Sequence, residues 1–198
     1  MSGMFGAAKR VYTWASGKAN SRRAPVWLGV IFLLELVFFL PMDALLLVFC
    51  LENPQRKYTY AMMATLASAV TGVIGFCLGF LAWDVLQPYI LDKWISTAFF
   101  ERITLHYQAI QNWAVFLGAL IPVPYKAVTL SAGVCSLAFL PFLGAIIAGR
   151  LMRFFLIAKV VGKWGVPIKA FMDRHFHRVM VAVVLKIGIA LSFLWFLQ

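Results

Sequence analysis

The run Trp113-Ala114-Val115-Phe116-Leu117-Gly118-Ala119-Leu120-Ile121 ends abruptly in Pro122-Val123-Pro124-Tyr125-Lys126. Nine helical residues cover about 14 Å, roughly half of a ~30 Å hydrocarbon core. They open an apolar stretch, residues 113–149, that is too long for one span and carries its prolines in the wrong place for two. The reading is therefore a half-helix, a turn at residues 122–126 forced by Pro122 and Pro124, a second short arm to about Leu137, and a full span to about Ala158. Pro141 suits the first turn of that span, where a missing N–H is tolerated. Irregular backbone at such depth survives only where protein buries it or a polar cavity solvates it. The turn is thus a candidate site.

Working outward, the N-terminal half has the same layout: an arm over residues 27–40, a turn at Pro41-Met42-Asp43, a short arm to Leu51, the breaker Asn53-Pro54, and a long helix over residues 58–83. In both halves a charge stands two residues past a proline, Pro41 to Asp43 and Pro124 to Lys126. The following helix is rich in small residues: Gly72, Gly75 and Gly79, then Gly144 and Gly149. Interrupted segments at matching places in two halves point to a transporter's binding site. Gly75-x-x-x-Gly79 is a close-packing signal, expected to serve packing within the chain ahead of dimerisation.

Composition agrees with a bilayer as solvent. Of 198 residues, 63% are hydrophobic and 13% charged, far from the balance of soluble domains. Residues 27–50, 61–83, 113–149 and 179–197 form the long apolar stretches. The expected fold is an all-α integral membrane protein with two re-entrant helical hairpins, each followed by a spanning helix, in an inverted repeat, plus a C-terminal spanning helix. Its parts are one membrane domain: a basic N-terminus (residues 1–25), a first repeat (26–83), an amphipathic interfacial segment (84–112), a second repeat (113–158), a basic interfacial segment (159–178) and a last span (179–197).

The net charge of +11 collects between apolar runs, which argues for topology and against a nucleic-acid surface. Lys9, Arg10, Lys18, Arg22 and Arg23 precede the first apolar stretch with no acid among them, so the N-terminus is expected in the cytoplasm. A cleaved signal is not expected, because that stretch is long and lacks a cleavage site. Leu91, Ile95, Phe99, Ile103, Tyr107 and Ile110 recur at helical spacing, as on a helix lying in the outer interface. Cys50, Cys77 and Cys135 read as small apolar residues. His175 and His177 read as interfacial, and neither a metal site nor a cofactor is expected.

Ionisable residues inside hydrocarbon are costly and are functional candidates by default. Glu35 and Asp43 flank the first turn; burial disfavours the charged form of a carboxylate in general, so both are proton-coupling candidates. Lys126, Arg150 and Arg153 form a basic set suited to phosphate, which arginine grips bidentately. The alternative at this stage is salt bridges between these acids and bases that merely hold the halves together. Lys186, in the last stretch, has no evident partner in this reading.

The motifs Phe39-Leu40-Pro41-Met42-Asp43-Ala44-Leu45-Leu46, Asn53-Pro54, Gly75-Phe76-Cys77-Leu78-Gly79, Leu120-Ile121-Pro122-Val123-Pro124-Tyr125-Lys126 and Gly149-Arg150-Leu151-Met152-Arg153-Phe154-Phe155 resemble the DedA superfamily, also called VTT-domain or SNARE-associated membrane proteins. The likeness runs from about Glu35 to Phe155 and is closest to the small YqaA-like branch. It implies re-entrant hairpins in inverted repeat in a bacterial inner membrane, and members that move phospholipids or a polyprenyl-phosphate carrier, often with proton-motive-force dependence. By the same likeness Glu35 and Asp43 are the acidic pair, and Lys126, Arg150 and Arg153 the basic set. The chain departs from the pattern in having one proline fewer in the first hairpin, and Gly118 and Ala119 in place of an arginine before the second.

The expected function is a flippase, translocase or scramblase for phospholipid or polyprenyl-phosphate headgroups, with membrane lipids and protons as partners. A non-transporting structural or assembly factor is the alternative. An enzyme is not expected, since no nucleophile stands beside a buried base.

Overall fold

The computed structural model describes residues 17–19, 21–35, 42–91, 96–121, 124–165 and 167. Among them every regular element is helical: α1 (Ala24–Leu34), α2 (Met42–Glu52), a 3-10 turn (Pro54–Arg56), α3 (Lys57–Ile90), α4 (Thr97–Ala109), α5 (Gln111–Leu120), α6 (Tyr125–Val134) and α7 (Phe139–Gly165). Pro41, Pro122, the turn centres and the last apolar stretch lie outside the described residues, as do His175, His177 and Lys186.

Short and long helices follow from where the breakers fall. Pro25 sits in the first turn of α1, and Asn53-Pro54 stops α2 and starts the 3-10 turn that leads into α3. From Lys57 no breaker intervenes until Pro88, so α3 runs 34 residues, about 51 Å, well beyond the ~30 Å of hydrocarbon. It thus continues seven residues past the expected end at residue 83. Passing from apolar to polar surroundings does not interrupt a helix, and even Pro88 lies inside α3, which runs on to Ile90. Of the interfacial stripe, Phe99, Ile103 and Tyr107 lie on α4, and Ile110, at φ −110° and ψ 13°, separates α4 from α5. Helix α7 starts at Phe139, two residues earlier than expected, with Pro141 still in its first turn, and runs past 158 to Gly165. Lys159, Lys163 and Trp164 sit on its last turns, where Lys163 lies 4.7 Å from the Trp164 ring.

The chain divides into two compact units, Met1–Ala67 with Phe154–Gln198, and Ser68–Arg153. The division falls inside both long helices.

In the first unit α1 and α2 pack with the start of α3 and the end of α7 around Leu28, Phe32, Leu46, Phe49 and Ala64. Two edge-to-face aromatic pairs organise this core, Phe32 with Phe154 at 5.4 Å and Phe49 with Tyr60 at 5.7 Å, a geometry in which ring edges meet ring faces. The buried Tyr60 hydroxyl donates to the Ala19 carbonyl at 3.3 Å, satisfying its polar atom.

In the second unit the end of α3 packs against α6, and α5 and α6 pack on each other and on the start of α7. Close approach is bought by glycine. A Cβ on Gly75 would meet the Thr129 side chain, one on Gly79 the Leu130 carbonyl, and one on Gly133 the backbone of Phe76 and Phe80. The Gly75–Gly79 pair therefore serves packing within the chain, as expected. Helix α6 ends at Val134 in a Schellman turn: Leu137 N–H donates to Ala132 O, Ser136 N–H to Gly133 O, and Ser136 takes φ 49°. This is how a helix C-terminus satisfies carbonyls that lack a partner, and it ends the arm three residues before Leu137. Two glutamines fix the exit: Gln108 donates to Cys135 O at 2.9 Å, and Gln111 accepts from Ala138 N–H at 3.0 Å.

Candidate functional site

The basic set lies along α5, α6 and the part of α7 beside them. Tyr125 and Lys126 are the first two residues of α6, immediately after Pro124. Asp43 holds the equivalent place on α2, in its first turn, where the positive end of the helix favours an acid. Lys126 faces the opposite situation, a cation at the positive end of a helix, which the helix dipole disfavours. Such a placement, together with the N–H groups of the first turn, makes an environment for an anion.

Arg150 lies 11 residues into α7, about 17 Å along it, and is only 4% exposed. Its guanidinium carbon sits 3.6 Å from the centroid of the Tyr125 ring. Tyr125 is itself buried, and its hydroxyl donates to the Ser68 carbonyl at 2.9 Å. That carbonyl also accepts from Thr71 Oγ1 at 2.9 Å. Gly72 makes room for the phenol, since a Cβ there would overlap the hydroxyl.

Arg153, one turn further, is half-buried and donates from Nη1 to Ile121 O at 2.7 Å and Leu120 O at 3.2 Å. These are the carbonyls at the C-terminal end of α5, which lack helical partners and carry the negative end of the dipole. Arg153 therefore caps the first arm of the hairpin, and one of its donors is committed to that task. We expect Arg153→Gln to loosen the hairpin and cost about 1–2 kcal/mol, a charged hydrogen bond being worth somewhat more than a neutral one. Hydrogen exchange that speeds up at α5 and α6 while α1 and α2 are unchanged is the expected readout.

The acidic pair belongs to the first unit. Glu35 caps the end of α1 in helical conformation and is half-buried, and Asp43 lies in the first turn of α2, so Met42 and Asp43, expected in a turn with Pro41, are helical. Among the described residues no three His, Cys, Asp or Glu side chains gather to hold a metal ion. Tyr125 was not singled out from the sequence. The available signal was an aromatic residue between a proline and a lysine at a mid-membrane turn, where a ring face can hold a cation.

Among the described residues two helices, 54–89 and 139–165, are long and apolar enough to cross a membrane, and apolar side chains are exposed along them, including Leu66, Val70, Leu78 and Leu156. Exposed apolar surface of this kind suits a membrane, and among the described residues the class is all-helical.

The chain belongs to the VTT-domain (DedA) family, whose model matches residues 45–162. It is 32% identical over 148 residues to an uncharacterized protein of Haemophilus influenzae, covering 74% of this chain and 76% of that one. A second uncharacterized relative, from Histophilus somni, is 33% identical over 168 residues, 84% of this chain and 87% of its own. No solved structure matches.

Proposed function

We propose that the protein is a translocase, of flippase or scramblase type, for the phosphate-bearing headgroup of a phospholipid or a polyprenyl phosphate in the bacterial inner membrane, with its N-terminus in the cytoplasm. The observation that carries this reading is Arg150, buried near the middle of α7 against Tyr125 at the start of α6. An arginine so placed is expensive in a bilayer and is a functional candidate by default. Lys126 follows Tyr125 in sequence, and with it and the first-turn N–H groups of α6 the arginine suits an oxyanion with two accessible oxygens.

On this reading α1 with α2, and α5 with α6, are two re-entrant hairpins in inverted repeat. Support comes from their lengths of 10 or 11 residues, about 15–17 Å each, and from the division of the chain, which gives each unit one pair. Protonation of Glu35 or Asp43 biases inward against outward opening, a ligand shifting a two-state equilibrium only by its differential affinity.

The test is movement of fluorescent phosphatidylethanolamine and of a polyprenyl phosphate across proteoliposomes, with and without a pH gradient. Asp43→Asn and Arg150→Ala are the controls, at equal levels of folded protein. Movement of either lipid that both substitutions abolish supports the translocase. No movement of either lipid under both conditions overturns it.

A structural or assembly role is the second reading, favoured at one residue by the capping of α5 by Arg153. It requires that exchanging an acid and a base between the two sets preserve function in cells, which a translocase does not survive.

A further inference from the structure

We propose that Tyr125 is the positioning residue for Arg150: its ring holds the guanidinium at the place where the lipid phosphate is gripped, and its hydroxyl anchors the ring to α3. This deepens the reading of Arg150 as a phosphate-binding residue and rests on it.

An arginine side chain has many rotamers, and fixing one has an entropic cost. A binding site gains when another group fixes it before the ligand arrives. Tyr125 is built for this. It is the first residue of α6, directly after Pro124, so its backbone is set by the helix start, and it is 5% exposed. With the Arg150 guanidinium carbon 3.6 Å from the ring centroid, the contact is a close cation–π interaction in a desolvated setting.

The ring in turn cannot swing, because its hydroxyl donates to Ser68 O at 2.9 Å and sits in the space left by Gly72. The Ser68 carbonyl has a second donor in Thr71 Oγ1, so losing the phenol hydroxyl leaves that carbonyl satisfied. The ring face and the hydroxyl therefore have separable tasks. The face sets Arg150; the hydroxyl only steadies the ring.

The separation gives the experiment. The full chain in detergent is titrated with a fluorescent polyprenyl phosphate, and its transport in proteoliposomes is measured against lipid concentration. Tyr125→Phe, which keeps the face, is expected to stay within about threefold of the wild type, the scale of a single neutral hydrogen bond. Tyr125→Leu and Tyr125→Met, which fill the space without a ring, are expected to raise the half-saturating concentration about tenfold to thirtyfold, the equivalent of a desolvated cation–π contact.

A ring that serves only as filler predicts instead that Leu and Met match Phe, and that result overturns the proposal. Equal damage by Phe and Leu overturns it too, since the hydroxyl would then carry the effect.

A lipid-free arm keeps the two layers apart. Melting of Tyr125→Leu, Arg150→Met and the double variant is expected to be non-additive, because the two side chains touch. Additive melting overturns the positioning role. Non-additive melting in a protein that neither binds nor moves the lipid overturns the phosphate reading instead, and with it the purpose assigned to Tyr125.

Discussion

Gly133→Ala is expected to leave little folded protein, and it should do more damage than any other single methyl added to the chain. The added Cβ would overlap the Phe76 carbonyl oxygen and lie 2.7 Å from the Phe80 nitrogen. Both are backbone atoms of a continuous helix, which cannot step aside as a side chain can. Overpacking usually costs ~1–3 kcal/mol even where side chains repack, so a clash against backbone should exceed ~3 kcal/mol. The contact is mutual: Gly79 of α3 admits the Leu130 carbonyl of α6 just as Gly133 of α6 admits α3. Gly79→Ala should therefore fail in the same way. In a bilayer such close backbone approach replaces the hydrophobic drive between helices that water would supply. Gly144→Ala is the control, since nothing lies within 4 Å of its Cβ. Removing that helical glycine should be neutral or stabilise by about 0.5–1 kcal/mol. Melting temperature and size-exclusion profile in detergent decide the matter. If Gly133→Ala melts with Gly144→Ala, the close packing of α3 on α6 is not what holds this unit.

These glycines also show where the sequence was legible. Gly75-x-x-x-Gly79 announces a close contact, because a glycine admits backbone where any Cβ would clash. The partner was not legible: nothing local tells Gly79 that it will meet Leu130, fifty-one residues on. Helix ends were read less well than helix existence. The sequence puts the end of α3 at Trp83, where polarity rises, yet polarity does not stop a helix, and α3 runs through Pro88 to Ile90. The arm α6 was read through Leu137, but Ser136 adopts the left-handed conformation that usually calls for glycine, and a serine gives no such warning. At the candidate site the charged residues were legible from the cost of placing them in hydrocarbon. Their tasks were not. Arg153 reaches the carbonyls of Leu120 and Ile121 across more than thirty residues, and Tyr125 gives no charge to mark it, so its hold on Arg150 emerged only from the packing of α6 beside α7.

Arg150→Lys is expected to stop lipid movement almost as completely as Arg150→Ala while leaving more protein folded. Lysine keeps the positive charge and most of the apolar stem, so the space beside Tyr125 stays partly filled and the ring still faces a cation. Alanine removes both, and losing a desolvated cation–π contact alone costs about 2 kcal/mol. Alanine should therefore lower the melting temperature clearly and lysine only slightly. Transport should separate the residues differently. An ammonium is a point charge with no planar fork, so it cannot hold two phosphate oxygens in parallel as a guanidinium does. One charged hydrogen bond is worth ~1.5–3 kcal/mol, which corresponds to a roughly tenfold to hundredfold fall in rate if it is made in the step that carries the headgroup across. Initial rates of fluorescent lipid movement, compared at equal amounts of folded protein, measure this directly. A lysine variant that transports at the wild-type rate would mean that the site needs only a positive charge at this depth. In that case the bidentate grip on phosphate is wrong, and the preference for a phosphate-bearing headgroup has to come from Lys126 and the first turn of α6.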